Sequence, residues 1–199
     1  MADETPDELT IRQRLIDAAL TTATTHGIAK LSMGDVAKQA GLSRQTLYRY
    51  FPSKEALVAT VVLSETSKLV DRISAASVDL DDPQQALSAS LCTALQVLRS
   101  HPLLDRLLRT EPDALVPILA TDNGPVMVHV RAVVESIVAE RTPDVADDPV
   151  GRRRFADIVT RLLISYAVSA PDDPPEVVAD YVSTFLVHGA LAVSPEVPS

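Results

Sequence analysis

The sequence predicts an all-α protein of about nine or ten helices, and three observations carry that expectation. Six glycines and 4% aromatics in 199 residues, beside abundant Ala, Leu and Val, favour helices. The β-branched alternation and paired hairpin glycines that strands require are missing. Serine or aspartate caps also recur ahead of apolar stripes of helical period. With 46% hydrophobic residues the chain can bury a substantial core.

The first helix is expected from about Thr10 to His26. Ile11, Leu15, Ala19 and Ala23 recur every fourth position, and Ile16 and Leu20 widen the stripe. Gly27 ends it, where a left-handed residue belongs. Ser32 caps a second helix that turns Val36, Ala37 and Ala40 inward, and Asp35 at its N3 position suits the helix dipole. Gly41 closes that helix, and Ser43 caps a third, Arg44 to Phe51. Pro52 breaks it. Ser53 caps a fourth, reaching about Ser77 with Leu57, Val61, Leu69 and Ile73 inward.

Further along, Asp81-Asp82-Pro83, Asp147-Asp148-Pro149 and Asp172-Asp173-Pro174 each precede a helical pattern. Aspartate accepts backbone N–H bonds at a cap, and proline tolerates the first helical position because that N–H lacks a partner anyway. Capping accounts for these pairs better than a divalent metal would, so neither a metal nor a cofactor is expected. Helices follow near 83–100, 102–109, 112–120, 124–141, 149–169 and 174–193.

Charge divides the chain. The net charge of −9 argues against indiscriminate polyanion binding. Yet Thr10 to Lys54 carries seven cations against two anions, while residues 55–199 carry a net −10. Cys92 is the single cysteine, so no internal disulfide forms. The acidic start lacks a secretory signal pattern, and no run of about 18 apolar residues crosses a membrane, so a cytoplasmic protein is expected.

Within the basic head, residues from about Met33 to Pro52 read as helix, glycine turn and short second helix. That second helix is crowded with Arg44, Gln45, Thr46, Tyr48, Arg49 and Tyr50. The DNA major groove admits one helix and displays a donor/acceptor code to such side chains. Arg44 and Gln45 follow the Ser43 cap and lead into the groove, where a bidentate pair to guanine or adenine discriminates by about 1–3 kcal/mol. Tyr48 and Thr46 can donate to phosphates, and Lys54 lies in the first turn of the next helix, beside free N–H groups that favour the same anion.

The stretch LSMGDVAKQAGLSRQTLYRYFPSKEAL resembles the N-terminal helix-turn-helix of the TetR family of bacterial transcriptional regulators. Matching elements are Ala18 and Ala19, Asp35-Val36-Ala37, Gly41-Leu42-Ser43, Thr46-Leu47-Tyr48, Tyr50-Phe51 and Ser53-Lys54-Glu55. The resemblance covers residues 9–69 and implies a DNA-binding domain there, with an effector-binding and dimerisation domain over 70–199. It implies a homodimeric repressor, the last two long helices of each copy pairing in a four-helix bundle, released from its operator by a small molecule. By position, Arg44, Gln45, Thr46, Tyr48 and Tyr50 would face DNA, Lys54 would grip a phosphate, and Leu47 and Phe51 would point inward. This chain departs from the family at Ala23, where relatives often carry a large aromatic. It departs again at Gly34, where some place a base-reading arginine, and at Gln45, where many have glycine.

In the body, Cys92, His101, Arg106, His129 and Tyr166 are candidate effector contacts, because ligand pockets are mostly apolar with a few orienting polar groups. Tyr181, Phe185, His188 and Gly189 form a candidate dimer face. No phosphate-binding glycine loop, nucleophile elbow or metal-ligand spacing points to an enzyme. The competing reading is a helical protein–protein interaction module or a ligand-binding protein without specific DNA recognition.

Overall fold

The computed structural model describes residues 6–121, 124–141, 148–169 and 171–193. Among them are nine α-helices and no strand: α1 Pro6–His26, α2 Met33–Gln39, α3 Arg44–Tyr50, α4 Lys54–Ser77, α5 Pro83–Ser100, α6 Pro102–Thr110, α7 Pro125–Arg141, α8 Pro149–Val168 and α9 Pro175–Val193. No helix among the described residues is long and apolar enough to cross a membrane.

The chain divides into two compact units. One comprises Met1–Glu65 with Pro102–Ile118; the other comprises Thr66–His101 with Leu119–Ser199. The boundary expected after residue 69 falls inside the continuous helix α4, and the segment from Pro102 packs with the N-terminal unit.

In the N-terminal unit, α1 packs against α2 and α6, and α2 against α3. Leu15, Ala19, Val36, Leu47, Phe51 and Leu57 are almost wholly buried. Gly27 (φ 88°) and Gly41 (φ 66°) take the left-handed conformation that only glycine adopts cheaply. After α2, Leu42 N–H donates to Ala37 O (2.9 Å) and Gly41 N–H to Lys38 O (3.1 Å), a Schellman closure.

In the C-terminal unit, α5 packs against α8 and α9, and α7 against α8. Leu91, Leu95, Met127, Ala156, Val159 and Ala179 form the interior. Two of its buried hydroxyls are satisfied locally: Thr160 donates to Ala156 O (2.7 Å) and Ser183 to Asp180 O (3.0 Å). Arg131 of α7 pairs with Asp157 of α8 at 2.6 Å, and Arg161 reaches the same carboxylate at 2.7 Å.

Two details differ from the sequence expectation. The helix expected over 112–120 is instead a 3-10 turn, Pro112–Ala114, followed by a π-helical turn, Val116–Ala120. Pro117 lacks an N–H in the middle of so short a stretch, so regular i→i−4 bonding cannot run through it. Asp82 and Asp148 cap α5 and α8 through Gln85 N–H (2.7 Å) and Val150 N–H (3.0 Å), but the third Asp-Pro pair does not cap in that way. There α9 starts one residue later, at Pro175, and the carbonyl of Pro174 takes the capping bonds from Val177 and Val178. Arg99 holds the preceding turn through the carbonyls of Pro171 (2.6 Å) and Asp173 (2.9 Å). Asp147 lies outside the described residues.

Candidate nucleic-acid interface

The short helix α3 would be marginal alone and is held by its ends and its inner face. Ser43 Oγ accepts the Thr46 N–H at 3.0 Å and meets the Thr46 hydroxyl at 2.9 Å, so the Thr46 hydroxyl already has a partner. Phe51 N–H closes the other end on Leu47 O at 2.9 Å. Leu47 (0% exposed) and Phe51 (2%) anchor the inner face, and the Arg12 guanidinium sits 5.5 Å from the Phe51 ring centroid. Arg14 of α1 donates to Ala40 O at 2.8 Å, tying α1 to the turn that sets the angle of α3.

Because the inner face is fixed, the outer face is fixed with it. Ser43, Arg44, Gln45, Tyr48 and Arg49 are exposed, and Thr46 and Tyr50 are half-buried. Tyr48 shows 52% of its surface, high for an aromatic. Arg49 folds over its neighbour Tyr50, 5.1 Å from the ring centroid, and donates to the phenol oxygen at 3.3 Å. The structure thus places Arg44, Gln45, Thr46, Tyr48, Arg49 and Tyr50 on one short helix, with Ser43 as its cap and Lys54 at the start of the next.

Lys54 opens α4, where Ser53 accepts the Ala56 N–H at 3.1 Å. Its ammonium donates to Ala29 O at 2.8 Å, in the turn between α1 and α2, which leaves it further protons for a phosphate. Glu55, in the same first turn, is held below the usual carboxylate range, first by backbone N–H and then by the Ser53 hydroxyl.

Sequence reasoning missed Glu111, 82 positions from the turn that it holds. Its carboxylate accepts the Ala29 N–H at 2.9 Å, and a Cβ on Gly27 would overlap it. Ala29 is therefore clasped on both sides, its N–H by Glu111 and its carbonyl by Lys54. Nothing in the local pattern around Glu111 signals this. Gly34 was the legible clue elsewhere: a glycine in a helical first turn is costly, and the Arg44 guanidinium lies against it.

The proposed effector contacts are scattered. Cys92, His101, Arg106, His129 and Tyr166 are all half-buried, with His101 in one unit and Arg106 in the other. His129 approaches Ser67 at 3.4 Å, and Arg106 Nε is buried without a hydrogen-bond partner among the described residues. Burial pushes the Cys92 thiol up, with Glu176 adding to the effect.

The proposed dimer-face residues share exposure. Tyr181 (76%) and Phe185 (73%) stand out on α9 with Val177, one helical turn apart. His188 is exposed and bonds Thr184 O through Nδ1 at 2.8 Å, and a Cβ on Gly189 would meet nothing within 4 Å. Ile158 and Val168 of α8 are also about half exposed.

Comparison with known proteins agrees with this architecture. Residues 15–61 match the bacterial regulatory proteins of the tetR family, and residues 82–188 match the bacterial tetracyclin repressor C-terminal domain. An HTH-type transcriptional regulator of Mycobacterium tuberculosis (strain CDC 1551 / Oshkosh) is 31% identical over 182 residues, 90% of this chain and 87% of that one. The regulator AlkX of Mycobacterium tuberculosis is 25% identical over 173 residues, 85% of this chain and 81% of its own. Among solved structures, the TetR family repressor AlkX from Dietzia sp., implicated in biodegradation of n-alkanes, superposes with a TM-score of 0.73 at 27% identity, covering 92% of this chain and 98% of that one. The multidrug binding protein EbrR, crystallised with malachite green, gives a TM-score of 0.61 at 25% identity over 88% of this chain and 96% of its own. With an exposed, hydrogen-bonding α3 set on a buried helix-turn-helix core, and with family matches along most of its length, this chain belongs to the TetR family of bacterial transcriptional regulators and is a DNA-binding regulator.

Proposed function

We propose that the protein is a cytoplasmic homodimeric repressor that holds a palindromic operator with two copies of α3 and lets go when a small molecule binds its C-terminal unit. The observation that carries this reading is the outward set of Arg44, Gln45, Tyr48 and Arg49 above the buried pair Leu47 and Phe51. Arg44 and Gln45 read base edges at the helix tip. Tyr48, Lys54 and the Ser43–Thr46 hydroxyl pair settle on phosphates, and Arg49 with Tyr50 flanks them.

One such helix touches too few bases for a specific site, so a second copy supplies the missing discrimination. The apolar stripe Val177, Tyr181 and Phe185, with His188 and Gly189 at its end, is the surface offered for that pairing. The effector is largely apolar, in keeping with relatives named for n-alkane degradation and for binding malachite green. Cys92, His101, His129 and Tyr166 of the C-terminal unit are its candidate polar contacts, and Arg106 belongs to the N-terminal unit. Residues 102–118 lie between two segments of the C-terminal unit in sequence, and Glu111 within them holds the Ala29 turn. A ligand drives release only as far as it prefers the released arrangement.

Selection of bound sequences from random duplexes tests the reading. A palindrome is expected, its half-sites centred about one helical turn (34–36 Å) or a multiple apart. Enrichment of a single unpaired half-site would overturn the dimer, and no enrichment at all would overturn specific recognition.

A further inference from the structure

The first turn of α2 contains Gly34, and its backbone does not need a glycine: the only described residues in the left-handed region are Gly27 and Gly41. Glycine is among the poorest helix formers, so its presence here asks for a reason other than conformation. The reason lies across the turn. A Cβ built on Gly34 would fall 2.8 Å from both Cζ and Nε of Arg44, with Nη2 nearer still. The guanidinium therefore lies against the bare backbone of α2, in space that even a methyl group would take.

We propose that Gly34 is a specificity-determining positioning residue, which sets the direction of the Arg44 guanidinium by leaving room for it on α2. This rests on the base-reading role of Arg44 given above. A bidentate pair with guanine needs both guanidinium nitrogens aligned with two acceptors on one base edge. A guanidinium seated on α2 before DNA arrives would leave less ordering for binding. A methyl at Gly34 displaces the guanidinium by roughly an ångström, since ordinary carbon contacts begin near 3.5 Å, and the alignment is lost while α2 itself is favoured.

The test uses the full chain as wild type, Gly34→Ala, Arg44→Ala and the double variant. Each is titrated on the selected operator and on its single-base-pair variants, with a thermal melt alongside. Gly34→Ala is expected to melt at or above wild type. It should lower discrimination about fivefold or more, toward the lower end of what one bidentate pair supplies, at the same base pairs that Arg44→Ala relaxes. In the Arg44→Ala background it should change nothing further. Relaxed preference in Arg44→Ala beside unchanged preference in Gly34→Ala would overturn the glycine's role and leave base reading intact, as would a Gly34→Ala effect that persists without Arg44. Unchanged preference in Arg44→Ala would remove the base-reading role itself, and this proposal with it.

Discussion

Helices α3 and α9 both hold a run of exposed side chains, but the two faces are made of different chemistry. On seven residues α3 presents Arg44, Gln45, Tyr48 and Arg49; on nineteen, α9 presents Val177, Tyr181 and Phe185. The first face can exchange its water for phosphate oxygens and base edges, which are as polar as the water they replace. The second gains only by meeting another apolar surface. Exposure alone therefore does not separate a DNA-reading helix from a subunit contact; the polarity of what is exposed does. Their support differs too. Caps and a buried Leu47–Phe51 pair hold α3, whereas α9 packs on α5 and buries Val178, Ala179 and Ser183.

The largest effect should come from breaking the apolar face. Tyr181→Glu with Phe185→Glu places charges where two copies would meet, and nothing in the monomer's own core is disturbed. Sedimentation should then give half the native mass, and operator affinity should fall ~100-fold or more as one half-site is lost. A variant that still sediments as a dimer would move the subunit contact away from α9.

Next come the two kinds of DNA contact. Arg44→Ala should cost about 1–3 kcal/mol at one or two base pairs and little on scrambled DNA. Lys54→Ala should weaken binding to every sequence alike and lower the salt slope by about one. Equal loss of selectivity in both, measured by titration across a salt series, would erase the distinction between reading and gripping residues.

A smaller effect is expected in the scaffold of the C-terminal unit. The Asp157 carboxyl is held below its usual range, first by the Arg161 hydrogen bond and then by the charge of Arg131. A depressed folded-state pKa contributes stability that is complete above the unfolded value, about 3.9, and is lost as pH falls through the folded one. Asp157→Asn should thus cost about 1–2 kcal/mol at neutral pH, discounted for partial exposure. In denaturant melts the gap to wild type should close only below about pH 4. A gap that closes at higher pH would assign the effect to another group.

How much of this was legible depended on the range of the interaction. Caps at Ser32, Ser43, Ser53, Asp82 and Asp148, the glycines at 27 and 41, and the inward Leu47 and Phe51 are written within four residues of where they act. Proline was legible as a breaker at Pro52, yet Pro117 inside the expected helix 112–120 was passed over. The role of Gly34 was half legible, as an anomaly without a cause, because the cause is a side chain ten positions on. Glu111 was not legible at all. Its partner Ala29 is set by tertiary packing, and a glutamate beside a helix end reads as solvated surface.

That contact gives the smallest and most local prediction. Glu111→Ala removes the acceptor for Ala29 N–H but leaves Lys54 on the Ala29 carbonyl, so the turn between α1 and α2 keeps one of its two clasps. A hydrogen bond to a charged group contributes about 1.5–3 kcal/mol when sheltered, and this exposed one should contribute nearer 1. Amide exchange at Ala29 should quicken several-fold while amides inside α3 stay as they were, because the caps of α3 are independent of Glu111. Operator affinity should fall less than tenfold with base preference unchanged, since Arg44 and Gln45 are untouched and only the seat of Lys54 loosens. Glu111→Gln, which keeps an oxygen at the same reach, should recover most of the protection. If Ala29 exchange is unaltered in Glu111→Ala, the turn is held by Gly27 and Lys54 alone. Segment 102–118 would then have no purchase on the reading helix by this route, and the route by which an effector acts would have to be sought along α4.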